Sequence, residues 1–127
     1  VKPNTIAKSI AIGNPADGYY GIKTANASGG YGEDISDEEI VSAMKLLAET
    51  EGVFTETAGG VTVGVTQKLI QQGRIKPDEV TVICITGNGL KTQEALADCF
   101  SAPAVIEPKI DSFEEIFSND LALNGLH

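Results

Sequence analysis

The sequence predicts an α/β fold: a partial parallel sheet flanked by helices, with residues 1–127 forming one segment. Two observations carry this. The run Val80-Thr81-Val82-Ile83-Cys84-Ile85 is short, nearly continuously apolar and rich in β-branched residues, the pattern of a parallel strand covered on both faces. Around it, helical patterns alternate with a second short strand candidate, Val53-Phe54-Thr55-Glu56. A right-handed β-α-β crossover then connects the two strands. Two strands alone leave sheet edges unpaired, which proteins avoid, so the pattern predicts a missing portion of sheet.

The elements follow in order. Pro3, Asn4 and Thr5 open a short helix that runs towards Ile12, and Gly13-Asn14-Pro15 stops it. Residues 16–35, rich in glycine and tyrosine, read as a loop with a short strand near 19–22. Ser36-Asp37-Glu38-Glu39 is a capping box. Ile40, Met44 and Leu47 then mark one helical face, which predicts a helix over Asp37–Glu51 ended by Gly52. Thr57-Ala58-Gly59-Gly60 reads as a turn. Residues 61–72 are β-branched, yet Val61, Val65, Leu69 and Gln72 keep a helical spacing and Gly73 follows as a stop, so a helix is expected. Further expectations are a short helix over 92–99, a short strand over 104–106, and a terminal helix opened by the capping box Ser112-Phe113-Glu114-Glu115. The tail 121–127 is expected to fray.

Composition narrows the function classes. Of 127 residues, 9 are Lys or Arg and 18 are Asp or Glu, a net charge of −9. That balance argues against nucleic acid, which needs clustered cations, and against an anionic membrane surface. No apolar run approaches the length of a membrane span. The two cysteines, Cys84 and Cys99, have no metal-ligand spacing and form no disulfide framework. Cys84 is expected to be a buried free thiol, in keeping with a cytoplasmic location. The first residue is Val1, so the chain reads as cut from something longer. His127, the one histidine, sits at the end, where a metal or triad role is not expected. Asp17, Glu33 and Asp34 read as solvated loop charges.

Ligands of open α/β sheets bind beyond the carboxyl ends of the strands. Glu56-Thr57-Ala58-Gly59-Gly60 and Thr86-Gly87-Asn88-Gly89 occupy those places. Glycine admits a ligand close to the backbone, and helix N-termini favour anions. Neither segment matches a phosphate-binding fingerprint. On the residues alone, plain strand-to-helix turns and a stand-alone module for a phosphorylated ligand at 86–89 both stay open. So does an interaction piece that associates through its sheet edges.

Asn4-Thr5-Ile6-Ala7 with Ile12-Gly13-Asn14-Pro15, then Glu56-Thr57-Ala58-Gly59-Gly60, then Thr86-Gly87-Asn88-Gly89-Leu90-Lys91, resemble three successive blocks near the C-terminus of threonine synthases. The likeness spans about residues 2–92 and, more loosely, 105–117. It implies the C-terminal part of a fold-type-II, tryptophan-synthase-beta-like enzyme dependent on pyridoxal phosphate. That family makes threonine and phosphate from O-phosphohomoserine and water, as a homodimer. The resemblance places the Thr86 hydroxyl at the pyridine nitrogen, lets Gly87 and Gly89 pass the ring edge, and sets Glu56 and Thr57 beside the ring. It puts 12–15 near the active-site entrance. The family's cofactor-bearing lysine and phosphate-binding loop lie in preceding regions, and Lys91 matches a different position. The chain alone is therefore expected to be inactive, with no catalytic residue and no metal. Threonine dehydratase is the nearest alternative within the fold type.

Overall fold

The computed structural model describes residues 2–123. The expectations for Val1, for His127 and for 124–127 of the tail lie outside the described residues. Among the described residues there are four α-helices: α1 (Gly18–Ser28), α2 (Asp37–Glu51), α3 (Thr57–Gln71) and α4 (Ile110–Leu123). The described residues also hold 3-10 turns at Lys8–Ile10, ahead of α1, and at Gly89–Lys91 and Gln93–Cys99, between α3 and α4.

The pair α2 and α3 forms the centre of the chain. The capping box starts α2 as the sequence predicts. Glu39 N–H donates to Ser36 Oγ at 3.2 Å, and Ser36 N–H donates to Glu39 Oε2 at 2.6 Å. The helix ends at Gly52, whose φ of 66° lies in the left-handed region that favours glycine. Its face of Ile40, Ala43 and Met44 is buried against Val63, Gly60 and Gly64 of α3. Two of the β-branched residues of α3 satisfy their hydroxyls within the helix, Thr62 and Thr66 donating back to Ala58 O at 3.1 Å and Thr62 O at 2.8 Å.

Close approach of the two helices depends on glycine. A Cβ at Gly60 would lie 2.6 Å from Met44 Cγ and 2.9 Å from Ile40 O. Ile40 and Met44, with Ala7 and Leu96, make the core cluster, and Ile6, Ile35, Val41 and Val61 pack against it. Burying Ile40, Met44 and Leu96 stabilises by about 1.5–3 kcal/mol each. The N-terminal segment joins this core through Asp37, which accepts from Thr5 Oγ1 at 2.5 Å and from Ile6 N–H at 3.2 Å.

Several expectations are corrected. Among the described residues there is no strand, so the partial parallel sheet is not present. Segment 80–85 has no regular secondary structure and is mostly exposed, with Val80 at 97% and Val82 at 84%. Its residue types suit a strand, but a strand forms only by hydrogen bonding to a neighbour, and none flanks it here. Cys84 is consequently exposed, not buried. The strand expected over 104–106 is absent for the same reason, with Val105 fully exposed. Segment 53–56 makes a single antiparallel bridge, Thr55 with Asn88, in place of a parallel crossover.

The region 16–35 is not loop and strand but contains α1. Pro15 precedes it and Gly29, at φ 69°, ends it. None of its residues is buried, and its large apolar residues Tyr19, Tyr20 and Ile22 are all exposed. The supposed turn 57–60 is the first turn of α3. The N-terminal helix shrinks to the turn Lys8–Ile10. Helix α4 starts at Ile110, so Ser112 lies inside it and does not cap it. No helix among the described residues is long and apolar enough to cross a membrane.

Candidate functional site

The bridge between Thr55 and Asn88 brings together two of the segments singled out in the sequence. Glu56 N–H donates to Gly87 O at 3.1 Å, and Gly89 N–H donates to Phe54 O at 3.0 Å. The Thr55 hydroxyl, fully buried, donates to Gly87 O at 3.1 Å. Both glycines are demanded by this junction. A Cβ at Gly87 would overlap the Glu56 carboxyl, and one at Gly89 would lie 2.6 Å from the Phe54 ring. The backbone here therefore passes close to Glu56 and Phe54.

Thr86 is exposed beside this junction, and Gly87 is partly buried. Glu56 caps the N-terminus of α3 and is 7% exposed. Its carboxylate makes no capping hydrogen bond to the first turn of α3 and lies against Gly87 instead. Its ion partner is Lys91, with Nζ 3.8 Å from Glu56 Oε1. Lys91 is thus a counter-ion to Glu56. Its place is set by the Gly89–Lys91 turn, which Asn88 caps by accepting Leu90 N–H at 2.9 Å.

Thr57 turns inward. Its N–H donates to Thr92 Oγ1 at 3.2 Å, and its own hydroxyl is fully buried with no hydrogen-bond partner. An unpaired buried hydroxyl is costly, on the order of 1–3 kcal/mol. Segment 12–15 forms an exposed turn ahead of α1. Sequence reasoning missed Thr55, Phe54 and Thr92, whose roles depend on contacts distant in sequence.

The remaining charges lie elsewhere. Glu33 is not merely solvated: Gln72 donates to its carboxylate, and Lys68 Nζ lies 3.9 Å from Oε1. The Gln72 hydrogen bond, then the Asp34 N–H, hold the Glu33 carboxyl below the usual range. A cleft of about 510 Å³ lined by Ile70, Ile75, Pro77 and Thr81 is composed of other residues than this junction. Among the described residues, no group of His, Cys, Asp or Glu is arranged to hold a metal.

The junction fits one edge of the cofactor implied by the resemblance. Thr86 offers an exposed neutral hydroxyl as a donor for a ring nitrogen, and Gly87 beside it carries no side chain to obstruct a flat ring. It does not fit the rest. No phosphate-cradling loop stands here, and the one lysine at the junction is paired with Glu56.

The chain is similar to threonine synthases of several organisms. The chain is 40% identical over 114 residues to a threonine synthase of Methanocaldococcus jannaschii, an alignment covering 90% of this chain and 28% of that protein. It is 46% identical over 90 residues to the threonine synthase of a Bacillus species, covering 71% and 26% respectively. Against the threonine synthase of Mycobacterium tuberculosis, identity is 38% over 108 residues, covering 84% and 30%. The chain thus spans less than a third of the length of these relatives. The family model described as pyridoxal-phosphate dependent enzyme matches residues 1–87, more than half of the chain. That match supports the expected fold class, although the described residues themselves carry helices and no strand. On this match the chain belongs to the family of pyridoxal-phosphate dependent enzymes.

Proposed function

We propose that these residues form the C-terminal part of a threonine synthase, a carbon-oxygen lyase that makes threonine and phosphate from O-phosphohomoserine and water. The observation that carries the reading is the meeting of two motif blocks at Glu56 and Gly87, which leaves Thr86 exposed at their edge. The similarity to threonine synthases supports the same substrate.

Thr86 and Gly87 would hold one edge of pyridoxal phosphate, with Glu56 beside it. When bound, the cofactor supplies the electron sink that β,γ-replacement requires. The Thr86 hydroxyl would donate a hydrogen bond to the pyridine nitrogen. A neutral donor does not force protonation of that nitrogen, whereas an aspartate there would favour it. Glu56, packed against Gly87, would stand near the ring edge. Thr57 acts from behind, through the backbone bond to Thr92 that sets the start of α3.

On this reading the lysine that bears the cofactor and the loop that binds its phosphate lie outside these 127 residues. The chain alone is then inactive. Cytoplasmic location and a homodimeric full-length enzyme belong to the same proposal. A stand-alone module for a phosphorylated ligand at 86–89 is less well supported. The Glu56 carboxylate already fills the space beside Gly87, and a second anion there would be repelled.

The test is a product assay on the full-length enzyme loaded with pyridoxal phosphate. O-Phosphohomoserine is expected to yield phosphate and threonine in equal amounts. Release of 2-oxobutanoate from threonine, with O-phosphohomoserine left intact, would overturn the reading in favour of a dehydratase.

A further inference from the structure

An ionised carboxylate withdrawn from water needs a partner. The Glu56 side chain is 9% exposed, and it fills the space where a side chain at Gly87 would stand. Lys91 supplies the compensating charge from a largely exposed position. The same residues close a ring of contacts. Glu56 N–H bonds to Gly87 O, Gly89 N–H bonds to Phe54 O, and the capped turn Gly89–Lys91 brings the lysine back over Glu56. Thr86 directly precedes Gly87, so a shift of the Glu56 carboxyl moves the peptide that joins them.

We propose that Lys91 is a positioning residue for the cofactor ring: its charge holds the Glu56 carboxylate against Gly87, and that contact fixes the Thr86 hydroxyl at the ring nitrogen. This rests on the assignment of Thr86 made above. Lys91 acts through Glu56 and touches neither cofactor nor substrate. Without it, the carboxylate has no ion partner and turns out towards water, and the Thr86-Gly87 peptide loses the group it packs on.

The experiment uses the full-length enzyme loaded with pyridoxal phosphate and the variants K91M, K91R, E56Q and K91M/E56Q. The readouts are the visible absorbance of the bound cofactor, its dissociation constant, and kcat and KM, with the thermal midpoint as a control for folding. K91M is expected to shift the cofactor absorbance and to lower kcat by roughly 10- to 100-fold, the loss that misplacement on the order of 1 Å produces. K91R restores both. E56Q keeps the side-chain shape without the charge, so adding K91M to it does no further harm. Wild-type absorbance and kcat in K91M would overturn the proposal, as would a fall in thermal midpoint alone. If K91M does not fold, E56Q and K91M/E56Q decide. Equal spectra and kcat support the proposal, and additive losses overturn it. Wild-type enzyme that binds the cofactor but leaves O-phosphohomoserine intact refutes the substrate reading only, and the absorbance still decides on Lys91. Wild-type enzyme that binds no pyridoxal phosphate overturns both.

Discussion

Gly60→Ala should destabilise the chain although alanine is the better helix former. Alanine gains about 1 kcal/mol over glycine inside a helix. At position 60, however, the new Cβ would stand 2.6 Å from Met44 Cγ, 2.9 Å from Ile40 O and 3.0 Å from Ile40 Cγ2. Met44 can rotate, but the carbonyl belongs to α2 and moves only with the helix. Both neighbours are buried, Ile40 at 2% and Met44 at 0%, so no solvent space receives them. Overfilling a packed core costs about 1–3 kcal/mol and more where backbone must shift. The expected net loss is about 1–2 kcal/mol, or a fall of roughly 4–8 °C in thermal midpoint for a chain of this size. Gly64→Ala is the control on the same helix face. Its Cβ meets only the terminal Ile35 Cδ1 at 2.6 Å, then Ala43 Cβ at 3.5 Å, and a methyl at the end of a side chain gives way cheaply. That variant should be neutral or up to about 1 kcal/mol more stable. Urea unfolding followed by circular dichroism measures both. A G60A chain as stable as G64A would refute the reasoning that α2 and α3 are held at contact by glycine.

Other outcomes follow from the same structure. Ser36→Ala removes the acceptor for Glu39 N–H and should cost about 1 kcal/mol, read as a lower urea midpoint. Glu33 has a folded pKa below its unfolded value, so its contribution is fully present above the ordinary glutamate pKa and is lost as pH falls through the lowered folded one. Gln72→Leu removes the largest cause of that shift. A carboxyl NMR titration should then place Glu33 higher, and an unchanged titration would contradict the assignment to Gln72.

The parts of the fold that were legible in the sequence are those whose signals are local. Helix α2 announces itself through Ser36, Glu39 and Gly52, all of which act within a turn of the helix end. Helix α3 was readable from its spacing, but its start was misplaced because Thr57, Gly59 and Gly60 resemble a turn. Gly59 and Gly60 are small because Thr55 and α2 press against them. Helix α1 was missed because it buries nothing, so hydrophobic periodicity had no face to report. The sheet failed for a different reason. The composition of 80–85 states what a strand is made of, but not which backbone completes its hydrogen bonds.

The site shows the same division. Glu56 and Gly87 stood out as glycine-rich strand ends, and the structure does bring them together. The pairing of Lys91 with Glu56, the Phe54 ring under Gly89 and the burial of Thr57 depend on the bridge between two distant segments. No local pattern carries that information.

The most direct test of the central claim is the state of the cofactor's ring nitrogen in the full-length enzyme. Pyridoxal phosphate labelled with nitrogen-15 in the ring reports by NMR whether that nitrogen is protonated. The assignment of Thr86 as a neutral donor predicts a hydrogen-bonded, unprotonated nitrogen in the wild type and a protonated one in Thr86→Asp. A protonated nitrogen in the wild type, or a nitrogen signal that Thr86→Asp leaves unchanged, would contradict it.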